Sequence, residues 1–300
     1  MKTIAIFLIL PVLALATINI DISVSGEKTP QLDIYGTNEH VISDQERDTF
    51  HLTDENLKTA VNAHFGSKPT DVFLRRPTPW GDLYTTNKWK QVSRILKPLK
   101  YKILSVDYEP YLVHSKAFNN SGISFESSVV KAQMWQTVKN IVSSTWQKSG
   151  DISATEDITY NFDIKGKAVS GKVGLFYNSR WGENVMISQN VSVGSEFGVE
   201  MSLRPEQAVV AELYATKGTM KVQVDYEASL SGSVAMNYEE SYKDHHFWSI
   251  DVNTALEAGG LNKTVLSTEI IDFEFYVSSN VIVRDADSDE ILTSLPLSVF

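Results

Sequence analysis

Apolar and polar residues alternate along much of this chain with the two-residue period of a β-strand. The alternation is most regular in ITYNFDIKGKAVSGKVGLFYN, residues 158–178. Ile158, Tyr160, Phe162 and Ile164 fall on one strand face, and Thr159, Asn161, Asp163 and Lys165 on the other. Between Gly166 and Gly171 the pattern breaks over small and basic residues, and a looser alternation then resumes. There Val173, Leu175 and Tyr177 share a face, while Phe176 falls on the opposite one. The pattern predicts an amphipathic hairpin spanning about residues 152–181.

Long β-rich stretches surround it: KILSVDYEPYLVHS, GISFESSVVKAQMWQTVKNIVSSTW, NVMISQNVSVGSEFGVEMSL, AVVAELYATKGTMKVQVDYEASLSGSVAMNY and EIIDFEFYVSSNVIVRD. Several greatly exceed the usual strand of about five or six residues. They predict an extended body of antiparallel strands over 101–300, rich in Ser, Thr, Asn and Val, with a moderately apolar face and a small polar one. Residues 17–100 read differently, as a small mixed α/β head. In LTDENLKTAVNAHFG, Thr53 is the expected N-cap, Asp54 and Glu55 occupy the first turn, and Gly66 is the stop. RRPTPWGDLYTTNKWKQV then predicts loops and short pieces. The chain opens with Lys2 and an apolar run from Ile4 to Ala16, with Ala14 and Ala16 placed as in an A-x-A site. A secretory signal peptide of residues 1–16, cleaved after Ala16, is expected.

Composition narrows the function classes. With 27 basic and 37 acidic residues the net charge is −10, which disfavours nucleic acid or anionic lipid as a partner held by bulk charge. There is no cysteine, so no disulfide restrains a rearrangement. Sequons at Asn119, Asn190 and Asn262 are candidate glycosylation sites of a secreted chain. No G-x-S-x-G, H-E-x-x-H, P-loop or G-x-G-x-x-G is present, so neither an enzyme nor a cofactor is expected. In DHHFW, residues 244–248, neighbouring strand residues point to opposite faces, so His245 and His246 do not share an ion. RDADSDE, with Asp285, Asp287, Asp289 and Glu290, lacks the glycine and distant glutamate of a calcium loop, and is expected to be a solvated acidic turn between the last two strands. No metal site is expected. Trp80, Tyr84, Trp89, Tyr101, Tyr108 and Tyr111 form an aromatic cluster that is either core or a surface for sugars or membrane headgroups.

The order of segments from Val138 to Tyr238 resembles the pore module of aerolysin-like (ETX/MTX2) β-pore-forming proteins. A Ser/Thr-bearing strand, NIVSSTWQKSGDISATED, leads into the amphipathic hairpin and a Trp-Gly pair at Trp181 and Gly182. A return strand, MISQNVSVGSEFGVEMSL, a connection at Pro205 with Val209, Ala211 and Leu213 after it, and two closing strands follow. PWGDLY and KILSVDYEPYLV are also similar to secreted insect proteins of the spherulin-2A type, which have relatives in caterpillar venom.

The resemblance implies a mainly β, elongated fold, and a hairpin that leaves a soluble monomer after ring assembly to line a membrane β-barrel. Only a closed barrel satisfies every strand backbone group in lipid, so oligomerisation must precede insertion. On that reading Ile158, Tyr160, Phe162, Ile164, Val173, Leu175 and Tyr177 face lipid, and Thr159, Asn161, Asp163 and Lys165 face the lumen. The expected partners are a target cell membrane, a receptor of unspecified chemistry and further copies of the chain. A non-lytic secreted yolk, storage or coat glycoprotein on the same fold is the alternative, and a lectin a third reading.

Overall fold

A computed structural model describes residues 17–120, 127–147, 153, 156–165 and 173–299. The expected cleavage site after Ala16 and the hairpin tip with Gly166 and Gly171 lie outside the described residues, as does the side chain of Val173. In chain order the elements are β1 (Ile18–Ser25), β2 (Gln31–Tyr35), β3 (Asn38–Val41), α1 (Asp44–Thr49), α2 (Asp54–Phe65), β4 (Asp71–Phe73) and α3 (Pro79–Asn87). Then come β5 (Ser93–Asn119), β6 (Ser128–Trp146), β7 (Glu156–Lys165), β8 (Val173–Arg180), β9 (Val185–Leu203) and β10 (Ala208–Ser231). The chain closes with β11 (Ser233–Tyr242), β12 (His245–Asp251), α4 (Val252–Ala258), β13 (Thr264–Asp285) and β14 (Ile291–Val299).

The long strands build a seven-stranded sheet in the order β14-β9-β6-β13-β10-β5-β3, in which β13 also pairs with β14. β10 is its spine, antiparallel to β5 along one side and to β13 along the other. Its buried positions are odd from Val209 to Ala215 and even from Met220 to Leu230. The register shift at Thr216/Lys217 adds a residue to β13 and none to β10, so the odd and even sets point to opposite faces. One sheet therefore supports two cores. At the far end Val209, Ala211 and Leu213 pack with Met134 of β6 and with Val191, Val193, Met201 and Leu203 of β9. At its other end, and on the other face, Val222, Val224 and Tyr226 pack under β1, β7 and β8.

A four-stranded sheet, β2-β1-β7-β8, covers that second face. The third sheet, β12-β11-β4, joins β4 from before residue 100 to strands from far beyond it, and α2 and α4 pack beside it. α2 starts on the Thr53 side chain, which accepts from the Asn56 amide, and stops at Gly66 in the left-handed conformation (φ 74°), as its sequence predicts. α1 opens with a capping box between Ser43 and Glu46. α3 is helical only after Asp82, because Trp80, Gly81 and Asp82 all have positive φ. β5 pairs with β3 only over Ser93–Leu96, which leaves most of its outer edge open. Bulges at Leu99, Leu104 and Val113, with Pro98 and Pro110, interrupt that edge and oppose chain-to-chain pairing. Among the described residues no helix is long and apolar enough to cross a membrane.

Candidate functional site

β7 and β8 form the predicted hairpin, paired from Glu156↔Arg180 to Ile164↔Val173 with a register shift between Glu156 and Ile158. Both faces fall where the alternation puts them. Ile158, Tyr160, Phe162, Ile164, Leu175 and Tyr177 are buried against the body. Asn161 and Lys165 are exposed, Thr159 and Asp163 are half-buried on the same outer face, and Phe176 stands 68% exposed among them. The hairpin is therefore an amphipathic layer laid on the sheet with its apolar side inward.

Its second partner was not foreseen from sequence. β1 runs parallel to β7 along its whole length, from Ile18↔Ile158 to Ser25↔Lys165, and buries Ile18, Ile20, Ile22 and Val24 in the same core. Alternating apolar residues at those four positions were the available signal; nothing in them names the strand they join.

The seat beneath the hairpin is aromatic with a carboxylate at its centre. Phe162 packs on Phe273 with ring centroids 4.8 Å apart, and Tyr160 stacks on Tyr177 at 4.4 Å. Glu269 of β13 is fully buried and accepts hydrogen bonds from the hydroxyls of Tyr160 at 2.5 Å and Tyr226 at 2.7 Å, and from Ser144 Oγ. Burial pushes its carboxyl above the ordinary range, against the pull of those three donors. Burial and the neighbouring carboxylate in turn push the Tyr160 and Tyr226 phenols well up.

A second polar cluster ties the base of the hairpin to β3, α1 and the start of β5. The buried Arg94 guanidinium of β5 donates to Glu46 Oε1 (2.8 Å) from Nε and to Asp157 Oδ1 (2.8 Å) from Nη2. Its Nη1 reaches Asn38 Oδ1 at 3.0 Å, and its Cζ lies 5.6 Å from the centroid of the buried Trp181 ring. Asp157 also accepts from the Trp181 amide, and the Trp181 indole donates to Ser267 Oγ at 2.9 Å. Glu46 accepts from the Ser43 amide at 2.8 Å and contacts His40 Nε2 at 3.0 Å. Burial alone would raise the Glu46 carboxyl, but the His40 contact, the Arg94 charge and the Ser43 amide outweigh it and hold it at about 2.

The remaining sequence candidates separate. His245 and His246 are exposed on β12, His246 Nδ1 lying 2.8 Å from the Tyr238 carbonyl oxygen, and no group of three or more metal-binding side chains occurs among the described residues. Asp285 folds RDADSDE into a turn by accepting from the Asp287 and Ser288 amides, while Arg284 pairs with Glu212 at 3.2 Å. The aromatic cluster does not form one surface. Tyr84 is buried, its hydroxyl shared by the Phe73 and Ser233 carbonyls, whereas Trp80 is 47% exposed and leans on Phe247 at 5.2 Å. Tyr101 and Tyr111 are exposed on β5. Asn119, Asn190 and Asn262 are all exposed.

A thin amphipathic layer docked on a long twisted sheet is the architecture of aerolysin-like β-pore-forming toxins. Among solved structures the parasporin-2 toxin of Bacillus thuringiensis superposes with a TM-score of 0.63, at 10% identity, over 83% of this chain and 98% of its own. U-megalopygitoxin(8)-Mo12 of Megalopyge opercularis is 36% identical over 268 residues, covering 89% of this chain and 91% of its own. U-megalopygitoxin(8)-Mc8 of Megalopyge crispata is 35% identical over the same shares. The chain belongs to this U-megalopygitoxin(8) family. No family model matches it. The resemblance drawn from segment order, both to the aerolysin-like fold and to caterpillar toxins, is borne out.

Proposed function

We propose that the protein is a secreted pore-forming toxin whose β7–β8 hairpin leaves its seat after ring assembly on a target membrane and contributes two strands to a β-barrel. The observation that carries this reading is the clean division of the hairpin, with apolar Ile158, Tyr160, Phe162 and Ile164 inward and polar Thr159, Asn161, Asp163 and Lys165 outward. A barrel strand needs about 9–11 residues of this alternation; β7 is ten residues long and alternates strictly over the eight from Ile158 to Lys165, with Asp157 and Ile158 both buried across a register shift at its start. In the barrel the inward set turns to lipid, together with Val173, Leu175 and Tyr177, and the outward set lines the lumen. The same apolar side chains thus serve twice, first in a protein core and then in a bilayer. Receptor contact falls to the head, where Trp80 offers an exposed aromatic face. The chemistry is mechanical, with no catalytic residue.

A crosslink between β1 and β7 tests the release step. Asp21 and Asn161 are register partners on the outer face, so the double substitution Asp21→Cys, Asn161→Cys places two thiols side by side in a chain that otherwise has none. The oxidised variant is expected to release no dye from cells or vesicles that the wild type permeabilises, and reductant should restore release. Equal leakage from the oxidised form would show that the hairpin stays in place. A folded wild type that releases no dye would assign the chain to the non-lytic storage or coat reading instead.

A further inference from the structure

We infer that Glu269 makes the body's grip on the hairpin sensitive to pH, tighter in mild acid than at neutrality. This deepens the proposed function, in which β7–β8 leaves its seat. The argument is geometric first. Glu269 is fully buried, and among the described residues no basic side chain forms an ion pair with it. Hydroxyls alone satisfy it: Ser144 from β6, Tyr226 from β10 and Tyr160 from the hairpin itself, with Tyr177 of β8 stacked on Tyr160 and Trp146 of β6 tilted against Tyr226 at 5.0 Å. Two of the three donors belong to the body and one leaves with the hairpin. Departure of the hairpin removes the Tyr160 donor and opens the carboxylate to water, which is the better solvent for a charge.

The sign follows from burial. Burial raises the Glu269 carboxyl above the free value of 4.5, against the pull of its three hydroxyl donors, and the hairpin is part of what buries it. Glu269 therefore favours the seated state in full below that pH, and the contribution is lost as pH rises through the raised value. Across that interval the fraction of molecules with an open hairpin rises by up to about tenfold per pH unit. The Arg94 cluster acts in a different window. Glu46, held at about 2, stabilises above pH 4.5 and is lost only in stronger acid. Its neighbours His40 and Asp157 are common to the wild type and the variants below, so the comparison cancels them.

Hydrogen exchange of the β7 and β8 amides between pH 5 and 8, corrected for intrinsic exchange, reads the opening directly. In the wild type, protection of β7–β8 is expected to fall as pH rises, while the β10–β13 ladder at Val209–Ala215 stays level. Glu269→Gln should abolish the slope and protect the hairpin more strongly at neutral pH. An identical slope in Glu269→Gln, or the same slope in the distant ladder, would overturn the inference. Should Glu269→Gln not fold, Tyr160→Phe provides the second reading. It keeps the carboxylate but removes the hairpin's donor, and is expected to shift the fall in protection to higher pH; an unshifted profile would also overturn it. Dye release is scored separately: a sloped exchange profile without leakage removes the pore but keeps the pH-sensitive seat, and leakage with a flat profile does the reverse.

Discussion

Replacing Arg94 with alanine is expected to lower the free energy of unfolding by about 3–5 kcal/mol, the usual cost of removing one partner from a buried ion pair. Two carboxylates, Glu46 and Asp157, lose their shared cation while their side chains remain wholly buried, so each is left with a charge it must neutralise or hydrate. The damage should spread in two directions, because the cluster joins α1 to the first residues of the hairpin. Arg94→Lys should recover only part of the loss, since one ammonium cannot span Glu46, Asp157 and Asn38 as the guanidinium does. Denaturant unfolding gives the magnitude, and hydrogen exchange over residues 156–165 shows whether the hairpin base loosens. A loss below about 1 kcal/mol, the level of an exposed pair, would mean that the cluster does not hold the two parts together.

The second large effect is expected at Phe162. Truncation to alanine should cost about 3–5 kcal/mol, as for other fully buried phenylalanines, because the ring is inaccessible and packs on Phe273. The neighbouring Asn161→Ala, on the outer face, should change stability by no more than about 0.5 kcal/mol. The contrast between adjacent residues is the useful measurement. Near-equal losses would mean that the two faces of β7 are not divided as described. A charged substitution at Phe162 is a poor probe of membrane insertion for the same reason, since it would disrupt the soluble protein before any membrane is met.

Much of this was legible in the sequence, and the reasons differ by element. The hairpin faces, the long strands, α2 and the acidic turn at Asp285 follow from local alternation and capping, which act over a few residues. Long-range partners left weaker traces. Arg94 shares a strand face with Val92 and Leu96, and Glu269 shares one with Ile271, Phe273 and Phe275. A lone charge in register with buried apolar neighbours is the mark of a buried polar site, but it gives no hint of whether the partner is a cation, as for Asp157, or only hydroxyls, as for Glu269. The switch of buried positions on β10, from odd to even past Thr216 and Lys217, was also visible as a change of phase. Its meaning, two cores on opposite faces of one sheet, needed the neighbouring strand that carries the extra residue. The three left-handed residues at Trp80, Gly81 and Asp82 had no such trace beyond the glycine.

The parallel pairing of β1 with β7 also bears on how the chain is made. A strand that finds its neighbour about 140 positions later cannot complete its sheet until more than half of the polypeptide has emerged. At synthesis rates of about 5–20 residues per second, that leaves Ile18, Ile20, Ile22 and Val24 without their final cover for several seconds, with only the short β2 beside them. Contacts so distant along the chain close slowly, because loop entropy is lost before any packing is gained. The strand that pairs with the hairpin in the finished molecule is thus among the first parts to be synthesised, yet its sheet stays incomplete until β7 has been made.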